Sequence, residues 1–350
     1  MVNHQPKNVN RAWVTLAARA AARVLALGAM LILLVACDPE QPGTNQSLKL
    51  PELDVEVLVI EQHKRLARAA KSSKDLKKAI NAFILDPKPS LRETSQSHWL
   101  AAHRDYLATT VMQEAHAKTQ ANVDLWPIQI GFVDALPDYP NSGIVSDESL
   151  IINAETLRSQ HQMTADEEAS LGFHVLEHYL FDRSLSDFTE SSPNADRRRQ
   201  YVDLAAQLLS ADLTLYAEDP SGDNAALIPE SFGAMVSQLQ KKMQQLFSEI
   251  NQLGQHTSGG PASGGRSAQD ILVQLREINN LLGPPVELGH YLVALDPTAA
   301  KVFNKTLQEL LLLLPETGQP DDENISRVLL LTSALSHQLD DFKQASASQG

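Results

Sequence analysis

The stretch LGFHVLEHYLF, residues 171–181, places three ionisable side chains in an otherwise apolar segment: His174, Glu177 and His178. Successive residues of an α-helix turn by about 100°, so the three side chains fall within one arc of about 100°. Large apolar residues cover the opposite side of such a helix. The helix is therefore expected to be buried, with its polar arc facing an interior space.

A buried carboxylate beside two imidazoles is costly unless it has partners. Three kinds of partner fit: the side chains themselves together with a nearby arginine, water in a cleft, or a metal ion. The first of these is a buried ion pair without chemistry. For a metal, imidazole and carboxylate together suit iron, zinc or copper, whereas magnesium and calcium favour more oxygen. One helix cannot complete such a site, so further ligands must come from other elements.

The letters HVLEH within this stretch also spell H-x-x-E-H. That is the inverzincin signature, in which both histidines bind zinc and the glutamate is the general base. Inverzincins resemble a mixed α/β fold with strands beside the motif helix. No run of this chain alternates convincingly as a strand, so the sequence disfavours an inverzincin peptidase.

The elements that must position these residues are helical. Apolar residues recur at spacings of three and four in many segments, and Ala, Leu, Gln, Glu and Lys dominate them. This pattern predicts an all-α fold of helical bundles with antiparallel neighbours. The predicted helices are 53–72, 74–85, 90–118, 164–182, 194–217, 226–253, 268–282, 297–314 and 324–345.

Two stretches interrupt the helical pattern. Residues 121–163 show no helical period, and a loop of this length inside a compact domain is usually functional or disordered, although its aromatic residues argue for order. Residues 254–267 are rich in Gly and Ser and predict a flexible linker. The predicted domains are an amino-terminal bundle over 53–253 and a carboxy-terminal helical region over 268–347.

The first residues predict export to the bacterial envelope. Residues 1–36 carry basic but no acidic side chains and contain an apolar run too short to span a bilayer comfortably. The letters LVAC resemble a lipobox, in which Cys37 is lipidated and residues 37–52 form a spacer. Asp38 resembles a signal for inner-membrane retention. We therefore expect the periplasmic face of the envelope, with a lipid anchor at Cys37.

Charge and cysteine count exclude several classes of protein. The formal net charge is −14, and loss of the four basic residues in 1–36 brings it to −18. A nucleic-acid partner is therefore not expected. Cys37 is the only cysteine, so an intramolecular disulfide and a thiolate zinc site are both excluded.

Several motifs in order resemble those of the imelysin family. They are SHWLAAHRDY at 97–106, DLWPIQIGFVDALPDYP at 124–140, LGFHVLEHYLF at 171–181 and RRRQYVDLAAQLLSADL at 197–213. The family hallmark G-x-H-x-x-E is matched by Gly172, His174 and Glu177. The resemblance implies two pseudo-symmetric four-helix bundles with the motif near their junction. The family is classed among candidate metallopeptidases, and its relatives are linked to iron uptake as periplasmic or lipid-anchored metal-binding components.

The resemblance and the helix geometry together nominate site residues. His174 and Glu177 match the hallmark and become metal ligands, with Glu177 also the candidate catalytic base. His178 lies outside the hallmark and is nominated as a ligand by geometry alone. Asp270 resembles the aspartate of a helix start in the family's second half, although the threonine expected before it is missing.

Other polar residues are less tied to the motif. His103 and Arg104 could face the same interior and neutralise Glu177, or lie on a solvated helix face and brace the bundle. Glu287 and His290 form another carboxylate and imidazole pair three residues apart, which we interpret as incidental.

Three functions stay open at this level. The favoured one is an envelope-anchored lipoprotein that binds a transition metal for uptake or handling, with iron favoured over zinc or copper. Its partners would be the membrane, the metal ion and envelope metal-transport components. The alternatives are a metal-dependent peptidase of the imelysin class and a structural or partner-docking lipoprotein without catalysis.

Overall fold

A computed structural model of the chain describes residues 53–112, 117–218, 229–255, 268–315 and 320–347. The all-α prediction is confirmed, since these residues form twelve α-helices and no strand. The helices are α1 (Val55–Leu85), α2 (Pro89–Thr109), α3 (Ala117–Asp124), α4 (Ile130–Val133), α5 (Ala154–Gln160), α6 (Phe173–Glu177), α7 (Ala195–Glu218), α8 (Phe232–Gln255), α9 (Ala268–Leu282), α10 (Leu288–Leu295), α11 (Pro297–Leu313) and α12 (Asp322–Ala347).

Helix α1 is one continuous element where the sequence predicted two. Asp54 caps its amino terminus by accepting a hydrogen bond from the Val57 amide at 3.1 Å. Ser73, at the predicted break, is buried and its hydroxyl donates to the Ala70 carbonyl at 2.8 Å. No Gly or Pro interrupts the segment, so nothing ends the helix before Leu85.

Two clusters of buried apolar side chains fill the fold. The first is built mainly by α1, α2, α7 and the segment from α3 to residue 188, and the second mainly by α8 to α12. Helix α1 contributes to both, with Leu58 in the second cluster and Leu66 in the first. Helix α8, which the sequence grouped with the amino-terminal bundle, packs its apolar face into the second cluster.

The predicted domain division stays a prediction, as does the pseudo-symmetry of the two halves. The predicted linker lies mostly at 256–267, outside the described residues, and so do the signal sequence, Cys37 and the spacer within 1–52. Within the part of the chain that the structure describes, none of the helices is both long and apolar enough to cross a membrane.

The helix predicted over 164–182 begins nine residues later than expected. The backbone amide and the hydroxyl of Thr164 bond to the Glu168 carboxylate at 2.8 and 2.6 Å, which folds this stretch into a compact turn. Such local bonds offer the backbone an alternative to helix. Helix α6 starts only after Gly172, and a π-helical turn over His178–Asp182 continues it.

The long segment over residues 121–163 is ordered and anchored to α7. It contains the end of α3 together with α4 and α5. The Arg197 guanidinium, from α7, donates to the carbonyls of Val145, Asp147 and Leu150 at 2.7 to 3.0 Å. One side chain thereby satisfies several loop carbonyls that would otherwise need water.

Candidate metal centre

Three buried side chains from separate helices meet at one point. His103 lies in α2, Asp124 is the last residue of α3, and His174 is the second residue of α6. One potential ligand atom from each lies within 4.8 Å of the other two. Among the described residues, this is the group of His, Cys, Asp and Glu side chains whose atoms gather closely enough to hold a metal ion.

Gly172 explains how α6 reaches α3. Its backbone has φ +100° and ψ 180°, a region that is essentially restricted to glycine. A Cβ atom at this position would lie 2.8 Å from the carbonyl oxygen of Val123 and 3.2 Å from that of Asn122. The glycine of G-x-H-x-x-E thus lets α6 begin directly against the carboxyl end of α3, so His174 comes within reach of Asp124.

Asp124 stands between the two imidazoles. Its Oδ1 atom is 3.0 Å from Nε2 of His103, a hydrogen-bonding distance, and 3.1 Å from Nε2 of His174. The second contact is an ion pair that does not meet hydrogen-bond geometry, so Nε2 of His174, like Nδ1 of His103 beside Asp270, is a buried polar atom without a hydrogen bond from the described residues. Buried polar atoms of this kind are rare and call for an explanation.

Two further carboxylates contact the outer sides of the rings. Glu177 Oε2 lies 2.7 Å from Nδ1 of His174, three residues earlier on the same helix. Asp270 Oδ1, from α9, lies 3.4 Å from Nδ1 of His103. The polar atoms therefore form one line of successive contacts, from Glu177 through His174, Asp124 and His103 to Asp270.

Aromatic side chains surround this line. The Trp99 ring lies 4.8 Å from the ring of His103, and the Trp126 ring lies 5.0 Å from that of His174. Phe173 packs against His103 at 4.9 Å, and its carbonyl accepts a hydrogen bond from the Trp99 indole at 2.9 Å. Aromatic rings packed against the imidazoles lower the local dielectric constant and so strengthen the electrostatic interactions of these rings.

The carboxylates outweigh the effect of burial on both imidazoles. Burial alone lowers the pKa of His103, but the close negative charges of Asp270 and Asp124 raise that pKa to about 10. Burial also lowers the pKa of His174, while its close contacts with the carboxylates of Asp124 and Glu177 raise it above its ordinary value. In the metal-free site, His103 is therefore positively charged near neutral pH.

The residues present fit a transition metal. Bonds of about 2.1 Å in an octahedral ion separate neighbouring ligand atoms by about 3.0 Å, which matches the two contacts that Asp124 makes. Two imidazole nitrogens and one carboxylate oxygen form a donor set that suits iron and zinc rather than magnesium or calcium. An ion here would also give the buried Nε2 of His174 a partner.

The structure brings most of the nominated residues together. His174, Glu177 and Asp270 all belong to the line of polar atoms, although metal binding by each stays a prediction. His178 does not belong to it: its ring is buried, and Nδ1 lies 3.2 Å from Asp182 Oδ2 within the π-helical turn. The role of His178 as a metal ligand likewise stays a prediction.

Asp124 is the functional candidate that sequence reasoning missed. It opens the quoted motif DLWPIQIGFVDALPDYP, but nothing in the local pattern marks it as a ligand. The sequence predicted that His103 and Arg104 could face the same interior. His103 is buried in the site, whereas Arg104 has a side chain that is 61% exposed. Glu287 and His290 form a surface ion pair of 3.3 Å, with side chains 47% and 73% exposed.

The stability of the metal-free protein is expected to fall as the pH rises from 6.5 to about 10, because the folded state raises the pKa of His103. The stabilisation that protonated His103 provides is complete below the pKa of the unfolded state. It is lost once the pH passes the pKa of the folded state. The slope from one such group is at most about 1.4 kcal/mol per pH unit. Chemical denaturation of chelator-treated wild type and His103→Gln gives the free energy of unfolding as a function of pH. The difference between the two pH slopes is the contribution of His103. Equal pH slopes in both would contradict the expectation, and His290→Gln should match wild type.

Comparison with known proteins places this chain in a family. The family model for imelysin, also called peptidase M75, matches residues 62–327. Two similar crystal structures are a protein described as an iron-regulated protein A precursor from Parabacteroides distasonis and an imelysin-like protein from Psychrobacter arcticum. No curated protein matches the chain.

Both crystal structures share the fold of this chain at low sequence identity. The first has a TM-score of 0.64 at 14% identity and covers 89% of this chain and 98% of its own. The second has a TM-score of 0.57 at 15% identity and covers 87% and 95%. With the family model matching most of its length, the chain belongs to the imelysin family.

Proposed function

We propose that this protein binds one transition-metal ion, with iron favoured over zinc or copper, through His103, Asp124 and His174. The observation that carries the proposal is the meeting of three buried side chains from three helices, in which Asp124 Oδ1 lies 3.0 and 3.1 Å from the two Nε2 atoms. A buried ion pair of Asp124 with the two imidazoles is the structural alternative.

The choice of iron has two supports. Two histidines and one carboxylate form the donor set of many non-haem iron(II) sites, which leave further positions open for other ligands. The Parabacteroides distasonis protein is described as iron-regulated. Zinc accepts the same donors, so the identity of the ion has to be measured.

We further propose, from the sequence, that the protein acts at the periplasmic face of the bacterial envelope. Cys37 would carry the lipid anchor, and Asp38 favours the inner membrane. Metal handling at that surface would hand the ion to or from envelope metal-transport components. The three functions that the sequence leaves open are separated by the experiment that follows.

Metal titration of the full chain in detergent tests the proposal. We expect calorimetry with Fe(II), Zn(II) and Cu(II), added separately, to show one ion bound by wild type at micromolar affinity or tighter. His174→Ala should weaken binding by more than about 100-fold, beyond the loss typical of residues that only hydrogen-bond a ligand. His290→Ala is the matched control, because it removes an exposed histidine that also lies three residues from a glutamate.

The outcomes of the titration separate the functions. Equal, weak binding by wild type and His174→Ala, with a lower melting temperature only in the latter, would indicate a structural site. The peptidase alternative keeps one favourable observation, since two histidines and a carboxylate also occur in zinc hydrolases. Against it, Glu177 is already engaged at 2.7 Å with His174 and is a poor candidate for a free base. Hydrolysis of peptides by the metal-loaded protein, lost in His174→Ala, would overturn the binding-only function.

A further inference from the structure

We propose that Glu177 and Asp270 are positioning residues and not metal ligands. Each would hold the Nδ1 side of one imidazole, so that both rings present Nε2 to the same point beside Asp124. This inference rests on the proposed metal binding, and it changes the role of the glutamate in G-x-H-x-x-E from ligand or base to support.

The contact between Glu177 and His174 has the length of a charge-assisted hydrogen bond. Its 2.7 Å lies within the range for N–H donors to carboxylates. Two atoms bound to one ion with bonds of about 2.1 Å are more widely spaced, at about 3.0 Å or beyond. The distance therefore favours a proton between Nδ1 and the carboxylate over a shared metal.

The geometry of the imidazole ring also favours a supporting role for Glu177 over metal binding. The two nitrogens of an imidazole point in different directions, and whichever one is hydrogen-bonded to a carboxylate leaves the other for the metal. In His174 the other nitrogen is Nε2, which is buried and lies 3.1 Å from Asp124 Oδ1. Glu177 faces the opposite nitrogen and so cannot share the ion that Nε2 would bind.

Asp270 occupies the corresponding position on His103. Its carboxylate lies 3.4 Å from Nδ1, while Nε2 of the same ring lies 3.0 Å from Asp124. This contact is an ion pair and not a hydrogen bond, so Asp270 holds its ring more weakly than Glu177 does. Both rings thus have a carboxylate on Nδ1 and Asp124 on Nε2, although the two outer carboxylates come from different helices.

The placement of Asp270 depends on the polar contacts of α9 with its neighbours. Asp270, Gln274 and Glu277 follow one another along one face of α9. The Gln274 side chain accepts a hydrogen bond of 3.0 Å from the Lys242 ammonium, and Glu277 forms a buried ion pair with Arg65. These contacts fix the register of α9 against its neighbours and keep the Asp270 carboxylate beside His103.

The test compares Glu177→Gln, Asp270→Asn and His174→Ala in the full chain, with Glu287→Gln as the matched control. Loss of a residue that orients a ligand typically lowers metal affinity by about 10- to 100-fold, which is less than the loss of a ligand. We expect Glu177→Gln to fall within this range, Asp270→Asn to lie near its lower end, and Glu287→Gln to bind as wild type does. Competition titration with a coloured zinc chelator measures the affinity of each variant and of wild type.

A second measurement on wild type does not depend on any variant folding. In the zinc-loaded protein with ¹⁵N-labelled histidine, long-range ¹H–¹⁵N spectra show which ring nitrogen carries a proton. We expect the proton on Nδ1 and the metal on Nε2 in both His103 and His174.

Three results would overturn the inference. One is metal bound through Nδ1 of either ring, and another is a Glu177→Gln protein that binds as poorly as His174→Ala. The third is wild-type affinity in both carboxylate variants. Failure of wild type to bind any metal would instead overturn the proposed function, and the inference with it.

Discussion

Replacing Gly172 with alanine is expected to destabilise the protein and to disable the metal centre together. The residue has φ +100°, and an added Cβ would collide with the carbonyl of Val123 at 2.8 Å. Backbone strain of this kind and the collision should cost on the order of 3 kcal/mol in the free energy of unfolding. In a domain of this size, we expect the melting temperature to fall by roughly 5–10 °C.

The effect on metal binding follows from the same contact. The collision would push α6 away from the end of α3, which separates His174 from Asp124. Thermal melting followed by circular dichroism, and metal titration below the melting temperature, measure the two effects. Gly283→Ala is the matched control, because nothing lies within 4 Å of a Cβ placed there. Unchanged metal affinity in Gly172→Ala would show that the glycine does not position the site.

Replacing Asp124 with asparagine should be the most damaging change of charge in the site. The carboxylate is buried and stands between two imidazoles, and the asparagine amide cannot offset the positive charge of His103. Breaking a buried ion pair by removing one partner costs about 3–5 kcal/mol. We expect a loss toward the lower end of this range at pH 7, because the imidazoles can release protons in response.

Denaturant unfolding at two pH values checks this prediction. The loss should shrink above pH 10, the approximate pKa of His103, since the ring is then neutral in wild type as well. Metal affinity should fall at least as far as in His174→Ala. Asp196→Asn serves as control, because that carboxylate pairs with Arg199 at the surface with its side chain 91% exposed. A cost as small as that of the control would mean that Asp124 does not organise the two histidines.

The sequence predicted most helices well but misplaced the start of α6. Apolar spacing identified α7, α9 and α12 almost to their ends, since that spacing is a local property of amphipathic helices. It failed over 164–172, where Glu168 bonds the start of the turn and competes with helix formation. Periodicity alone does not register such side-chain bonds to the backbone.

The residues of the site were predicted only in part, because local spacing does not show which helices meet. His174 and Glu177 are neighbours on one helix, so their closeness follows from helix geometry. His178 should share their arc on an ideal α-helix, but the π-helical turn changes the geometry after Glu177 and pairs its ring with Asp182. Asp124 joins the site from a separate helix, and contacts at such separation in the chain depend on tertiary packing that local spacing does not encode.

Helix α1 has a consequence for how the protein unfolds. Its 31 residues extend about 46 Å at 1.5 Å per residue, and they supply apolar side chains to both buried clusters. Neither cluster can release α1 without exposing apolar surface of the other. The two cores are therefore expected to open as one cooperative unit, unlike modules joined only by a tether, and a ligand bound beside one of them protects both from unfolding.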